Sequence, residues 1–298
     1  MESFWLHRYS VILAFCTLLL VVAGASVTSK QAGLSVPDWP LSYGQVMPEM
    51  KGGVFYEHGH RMIASAVGFM TIVLALWVWR VDRRRWLKRL AWILLGAVIV
   101  QGVLGGLTVL FLLPKAVSIA HACLAQLFFS ATVAVAVFTS RAWGEETAMV
   151  DDSGWPSLRF LSILAPITVL GQSALGAAYR HQALGIVPHI VGALFVMLIV
   201  MMAGIAVMTQ FGKHRVLHRA ASVLLGLTGL QIVLGVVAYL VRISVTGAAE
   251  PTTSLVIYTV AHVAVGALTM GASVVLSIEV FRYVRPRERV SAQITATS

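Results

Sequence analysis

The sequence predicts an all-α integral membrane protein whose eight transmembrane helices form two related four-helix bundles. Three observations lead there. First, 58% of the 298 residues are hydrophobic and 11% are charged. The mean hydropathy is +0.86, more apolar than a water-soluble domain can bury, so the bilayer is the expected solvent. Second, eight apolar runs reach the length of about 20 residues that crosses about 30 Å of hydrocarbon. Third, short motifs recur in the two halves in the same order.

The formal charge of +10 comes from 22 Lys and Arg against 12 Asp and Glu. It does not point to nucleic acid, because the basic residues fall in short clusters between apolar runs, as membrane topology requires.

The runs follow in order. Span one, 8–29, ends in "VVAGAS", like the small-residue end of a cleaved signal peptide. Its head carries only Arg8 as a clear positive charge, and its loss would break the even count, so it is expected to be retained. The loop that follows contains "GLSVPDWPLSYG" at 33–44. Span two, 58–80, opens beside "EHGHR" at 57–61. A loop with Arg80, Arg83, Arg84, Arg85, Lys88 and Arg89 leads to span three, 89–112. Trp77, Trp79, Trp86 and Trp92 flank that loop as interfacial anchors. Span four, 117–140, is followed by the acidic segment "RAWGEETAMVDDSGWPS" at 141–157. We divide the chain there into an N-terminal bundle, 1–142, a linker, 143–157, and a C-terminal bundle, 158–298.

Spans five and six, 158–179 and 185–209, lead to Lys213, Arg215 and Arg219. Spans seven and eight, 219–242 and 256–282, lead to Arg282, Arg285, Arg287 and Arg289. The three basic clusters share one side, expected to be the cytoplasm, which puts both termini and the linker inside. With no Arg- and Ser-rich transit segment at the start, the expected location is a bacterial cytoplasmic membrane. Cys16 and Cys123 both lie in apolar runs without a CxxC partner and read as small buried hydrophobes.

The repeats are specific in order rather than singly. "QGVLGG" at 101–106 matches "QIVLGV" at 231–236, and a third Q-x-x-L-G runs from Gln172 to Gly176. "GASVTSKQAG" at 24–33 parallels "GAAYRHQALG" at 176–185. Both halves then run in the same direction, because four spans return the chain to its starting side.

Histidines carry the functional signal. His7, His214 and His218 fall on the cytoplasmic side and His181 in an outer loop. The remaining four of interest, His60, His121, His189 and His262, occupy one even-numbered span each, within a turn or two of its outer end. Iron in a porphyrin accepts axial ligands from opposite faces, and imidazole is a common choice. Bundles build such sites from facing helices. The pattern predicts haem ligation by two pairs. A lone histidine near a span end is ordinarily an interfacial polar residue, and a proton path would string histidines across the membrane; four at one level fit neither.

Glu57 stands three residues before His60 and four before Arg61, so all three share a face. A carboxylate beside a porphyrin can exchange protons during oxidation of a substituent, and Arg61 can meet a propionate. An interfacial i,i+4 ion pair without chemistry is the alternative. In the second half the residues three and one before His189 are Ile186 and Pro188, with no acid. The first half therefore reads as the reactive one.

The E-x-x-H-R of Glu57 to Arg61, the 33–44 loop and one histidine per even span resemble the haem A synthase family, the CtaA type of cytochrome oxidase assembly proteins. The likeness covers essentially the whole chain. It implies oxidation of a methyl group of haem O to the formyl group of haem A by successive hydroxylations, for delivery to terminal oxidases. It implies that His60 and His121 face the substrate haem, with Glu57 catalytic and Arg61 binding the haem. It implies that His189 and His262 ligate haem b as an electron relay. A haem O synthase is the implied supplier, an electron donor or acceptor is required, and a homo-oligomer is left open. Many members carry two cysteines in the first outer loop; here Val36 and Ser42 stand in their places. Two other readings therefore stay open: a di-haem b-type membrane electron carrier, and a non-catalytic haem-delivery or oxidase-assembly factor.

Overall fold

A computed structural model describes residues 2–145 and 148–285. Eight long helices account for most of them: α1 Glu2–Ser29, α2 Gly52–Val81, α3 Arg85–Leu110, α4 Lys115–Phe138, α5 Leu158–Arg180, α6 Ile186–Gln210, α7 Arg215–Ser244 and α8 Thr253–Tyr283. All eight are long and apolar enough to cross a membrane. The chain is a multi-pass membrane protein. Of the tail arginines, Arg287 and Arg289 lie outside the described residues.

The helices extend beyond the apolar runs, most clearly in α2, which starts at Gly52 rather than near 58. Helical hydrogen bonding does not stop where hydropathy falls; it stops where the backbone turns, here at an extended Lys51 and a left-handed Gly52 (φ 54°). Glu57 and His58 thus lie inside α2. His121 and His189 are the seventh and fourth residues of α4 and α6, within the first two turns as expected. His60 and His262, the ninth and tenth of α2 and α8, stand about a turn deeper.

In hydrocarbon every polar group needs an internal partner. Buried hydroxyls meet this by bonding back to their own helix: Ser10 to the Leu6 carbonyl (2.8 Å), Thr17 to Leu13 (2.7 Å) and Thr71 to Val67 (2.7 Å). Large apolar side chains such as Phe69 and Ile93 point outward, as lipid-facing residues do.

Packing divides the helices into two sets. α1 to α4 pack in sequence and α4 closes on α1; α5 to α8 repeat the arrangement. The first set buries a core of Leu13, Val67, Leu74, Leu87, Leu94 and Val135. The second buries Leu158, Val200, Val207, Leu217, Leu224 and Leu276. They meet where α1 packs on α8 and where α4 packs on α5 and α8. On the connecting segment, Val150 pairs with the end of α8 through Tyr283 and Arg285, and the Asp152 carboxylate accepts the Leu158 N–H at 2.6 Å, capping α5. The four histidines lie toward the end of the molecule opposite this segment.

Candidate haem sites

Each histidine sits against a glycine of the helix before it. A Cβ built on Gly24 of α1 would stand 3.0 Å from His60 Cε1. The same construction puts Gly105 of α3 at 3.3 Å from His121, Gly176 of α5 at 2.9 Å from His189, and Gly235 of α7 at 2.9 Å from His262. Four hairpins thus repeat one device, in which a missing side chain makes room for an imidazole between close helices.

Three of the four seats carry a brace. The amide nitrogen of Gln101 bonds the His121 carbonyl at 3.0 Å and lies 3.5 Å from its ring. Gln172 bonds the His189 carbonyl at 2.8 Å and touches ring Nδ1 at 3.0 Å. Gln231 lies 3.3 Å from His262 Nε2. Each glutamine is four residues before the seat glycine, so Q-x-x-L-G is the histidine seat itself. In α1 the corresponding residue is Leu20, and His60 has no such brace.

The second pair has the spacing of two imidazoles on either side of one metal ion. The His189 and His262 ring centroids are 6.3 Å apart with their planes at 82°. A metal–imidazole nitrogen bond of about 2.0–2.1 Å on each side, plus about 1.1 Å from nitrogen to ring centre, spans roughly that distance. His262 Nδ1 lies 3.2 Å from the Gln231 carbonyl, an acceptor only, so Nδ1 carries the proton and Nε2, which the Gln231 side-chain amide approaches at 3.3 Å, is the acceptor. In the first half, His60 and His121 face the backbone of Leu20 and of Gln101 in the same way, and the two rings are near enough to interact electrostatically.

The first half adds a polar cluster that the second lacks. Glu57, 4% exposed, pairs with Arg61 through Oε1 at 2.7 Å and accepts the Val36 N–H through Oε2 at 2.9 Å. Arg61 also donates to the Asp38 carbonyl (2.8 Å) and the Leu41 carbonyl (2.9 Å). The guanidinium expected to meet a propionate therefore holds the loop and orients Glu57; a propionate contact would come in addition. His58 is buried and bonds Ser42 Oγ at 2.8 Å. The loop closes over the site: the Trp39 ring packs on Gly106, the neighbour of the His121 seat, where a Cβ would meet it at 2.7 Å. Asp38 accepts the amides of Gly44 (2.8 Å) and Tyr43 (2.6 Å), which hold its carboxyl below the usual range. Val36 and Ser42, where cysteines stand in many relatives, are fully buried and contact Glu57 and His58.

The sequence profile of the family described as "Cytochrome oxidase assembly protein" matches residues 7–189, more than half of the chain. The chain belongs to this family. Among similar curated proteins is the "Heme A synthase" of Alkalihalophilus pseudofirmus, 31% identical over 145 residues, or 48% of this chain and 49% of the relative. That of Shouchella clausii is 36% identical over 109 residues, 36% of each chain. That of Symbiobacterium thermophilum is 35% identical over 133 residues, 44% of this chain and 43% of the relative. The chain spans about half the length, or less, of the curated relatives it matches. The profile match ends at His189, and the seats of His60, His121 and His189 lie inside it.

Proposed function

We propose that this protein is a haem A synthase, oxidising a methyl substituent of haem O to a formyl group by successive hydroxylations. The N-terminal bundle, 1–142, binds haem O as substrate between His60 and His121. The C-terminal bundle, 158–298, holds haem b between His189 and His262. The observation that carries the reading is the asymmetry of two otherwise repeated sites: both have paired histidine seats, but among the described residues only the first has a buried carboxylate, Glu57, beside its histidine and under a closed loop. The relatives' name supports the same reaction.

Bound haem b would supply one-electron transfer, and its seats hold it in register with the first half. Glu57 accepts and returns protons at Oε1 and Oε2 as the substituent is oxidised. Arg61 fixes Glu57's rotamer and excludes water by tying down the loop. His60 would face the substrate haem with His121, from a seat where Leu20 replaces the glutamine of the other three. A haem O synthase supplies the substrate, and a redox partner outside the chain, an electron donor or acceptor, serves the oxidation. The basic ends of the helices face the cytoplasm, so both termini are inside and the haem sites lie toward the outer face. A reporter active only in the cytoplasm, fused after residue 298, should be active; inactivity would overturn this orientation.

The test is to co-express the chain with a haem O synthase in a host that makes no haem A, purify it, and identify the extracted haems by mass. Haem A or its hydroxylated precursor beside haem b is expected. Haem b with unmodified haem O, in the presence of competent redox partners, would instead make the protein a carrier or a delivery factor, a reading favoured only by Val36 and Ser42.

A further inference from the structure

Arg180 is a partly buried cation with no acid to meet it. It ends α5, on the stripe that also carries Gln172 and Gly176 at four-residue spacing. These share one face. Gln172 braces His189 and Gly176 seats its ring. Arg180 is the next group along that face, one turn toward the histidine end. Its Nη2 donates to Ser29 Oγ at 2.6 Å and reaches the Ala25 carbonyl at 3.5 Å, both neutral groups of α1. Arg242, His181 and His262 lie within its electrostatic reach. Arg242, two turns beyond the Gly235 seat on α7, lies over the Tyr179 ring at 5.2 Å. Among the described residues neither arginine has a carboxylate in ion-pair range.

A guanidinium withdrawn from water beside a second cation is costly unless an anion joins it. Its planar fork matches a carboxylate. The first half has Thr28 at the place equivalent to Arg180, four residues after its own seat glycine, and Thr28 bonds back to Gly24.

We propose that Arg180, with Arg242 at the rim, receives the carboxylate side chains of the tetrapyrrole held by His189 and His262. The second half then selects a porphyrin by its acid edge and fixes that edge toward the histidine end. Because Arg180 is anchored to Ser29 and Ala25, the acid edge lies against the first half. The inference rests on the reading of His189 and His262 as a haem pair.

The experiment is a titration of the purified chain, carrying His60→Ala and His121→Ala so that one pair remains, with protohaem and with its dimethyl ester. Absorbance reports both affinity and the low-spin bis-imidazole spectrum. The free acid should bind about ten- to a hundredfold more tightly than the ester. Arg180→Gln should abolish that preference while leaving the bis-imidazole spectrum, and Arg180→Lys should restore part of it. An undiminished preference in Arg180→Gln overturns the proposal. Absence of a bis-imidazole spectrum with either compound overturns the haem assignment itself, and this proposal with it. Should the double-alanine background not fold, Arg180→Gln alone is titrated, and the preference should vanish for one of two haem equivalents; its retention for both overturns the proposal.

Discussion

Glu57 is held from both sides, by the Arg61 guanidinium and by the Val36 N–H. Glu57→Gln keeps the shape and removes the titratable oxygen. It should leave haem b bound and stop conversion of haem O, read by mass of the extracted haems; an unchanged yield of haem A would remove Glu57 from the chemistry. Arg61→Ala leaves a buried carboxylate without its cation, which costs about 3–5 kcal/mol locally. Because Arg61 also bonds the Asp38 and Leu41 carbonyls, the loss should appear as faster proteolysis within 33–51 in the detergent-solubilised protein. The same loop should respond to acid. The Asp38 carboxyl is held below its usual range by the Gly44 amide, with help from Tyr43. Its contribution is present above the unfolded value of about 3.9 and lost as pH falls through the lower folded value. Amide exchange at Tyr43 and Gly44 should therefore rise only below about pH 4; a rise between pH 5 and 7 would contradict the assignment.

The hairpin is the repeated unit at the scale of elements. A glycine on the odd helix admits the imidazole of the even helix, and a glutamine one turn away steadies it. Gly235→Val should drive side-chain atoms into His262, already 2.9 Å from where a Cβ would stand, and abolish the second-half haem spectrum while helix content by circular dichroism is kept. Gln231→Leu should retain the haem with about 10- to 100-fold weaker affinity, the usual effect of losing a ligand's outer partner. Equal affinity would show that the glutamine is packing alone. Four histidines were legible in the sequence because a histidine near the outer end of every even span can be read along the chain, while the role of His58, which shares α2 with His60, could not. The seats were half legible. Q-x-x-L-G is visible as a repeat, but its role depends on which face of α3, α5 or α7 meets the next helix, and that phase is set by packing across the hairpin. Gly24 was hidden further, because Leu20 replaces the glutamine that marks the other three.

The whole molecule was legible where the bilayer imposes it. Hydropathy alone predicts eight helices, and it misplaces ends such as that of α2, where the turn at Gly52 rather than the edge of the apolar run decides. Contacts between halves were not legible: Arg180 reaches Ser29 across 151 positions, and no local pattern encodes that pairing. The central claim is that two histidine pairs, one in each half, seat two haems independently. The most direct measurement is haem stoichiometry with the electron paramagnetic resonance spectrum of haem-saturated protein, wild type against His189→Ala. The account predicts two haems in the wild type, and in the variant the loss of one haem with its low-spin bis-imidazole signal while the other stays bound. Two haems with an unaltered spectrum in His189→Ala, or none in the wild type, would contradict it.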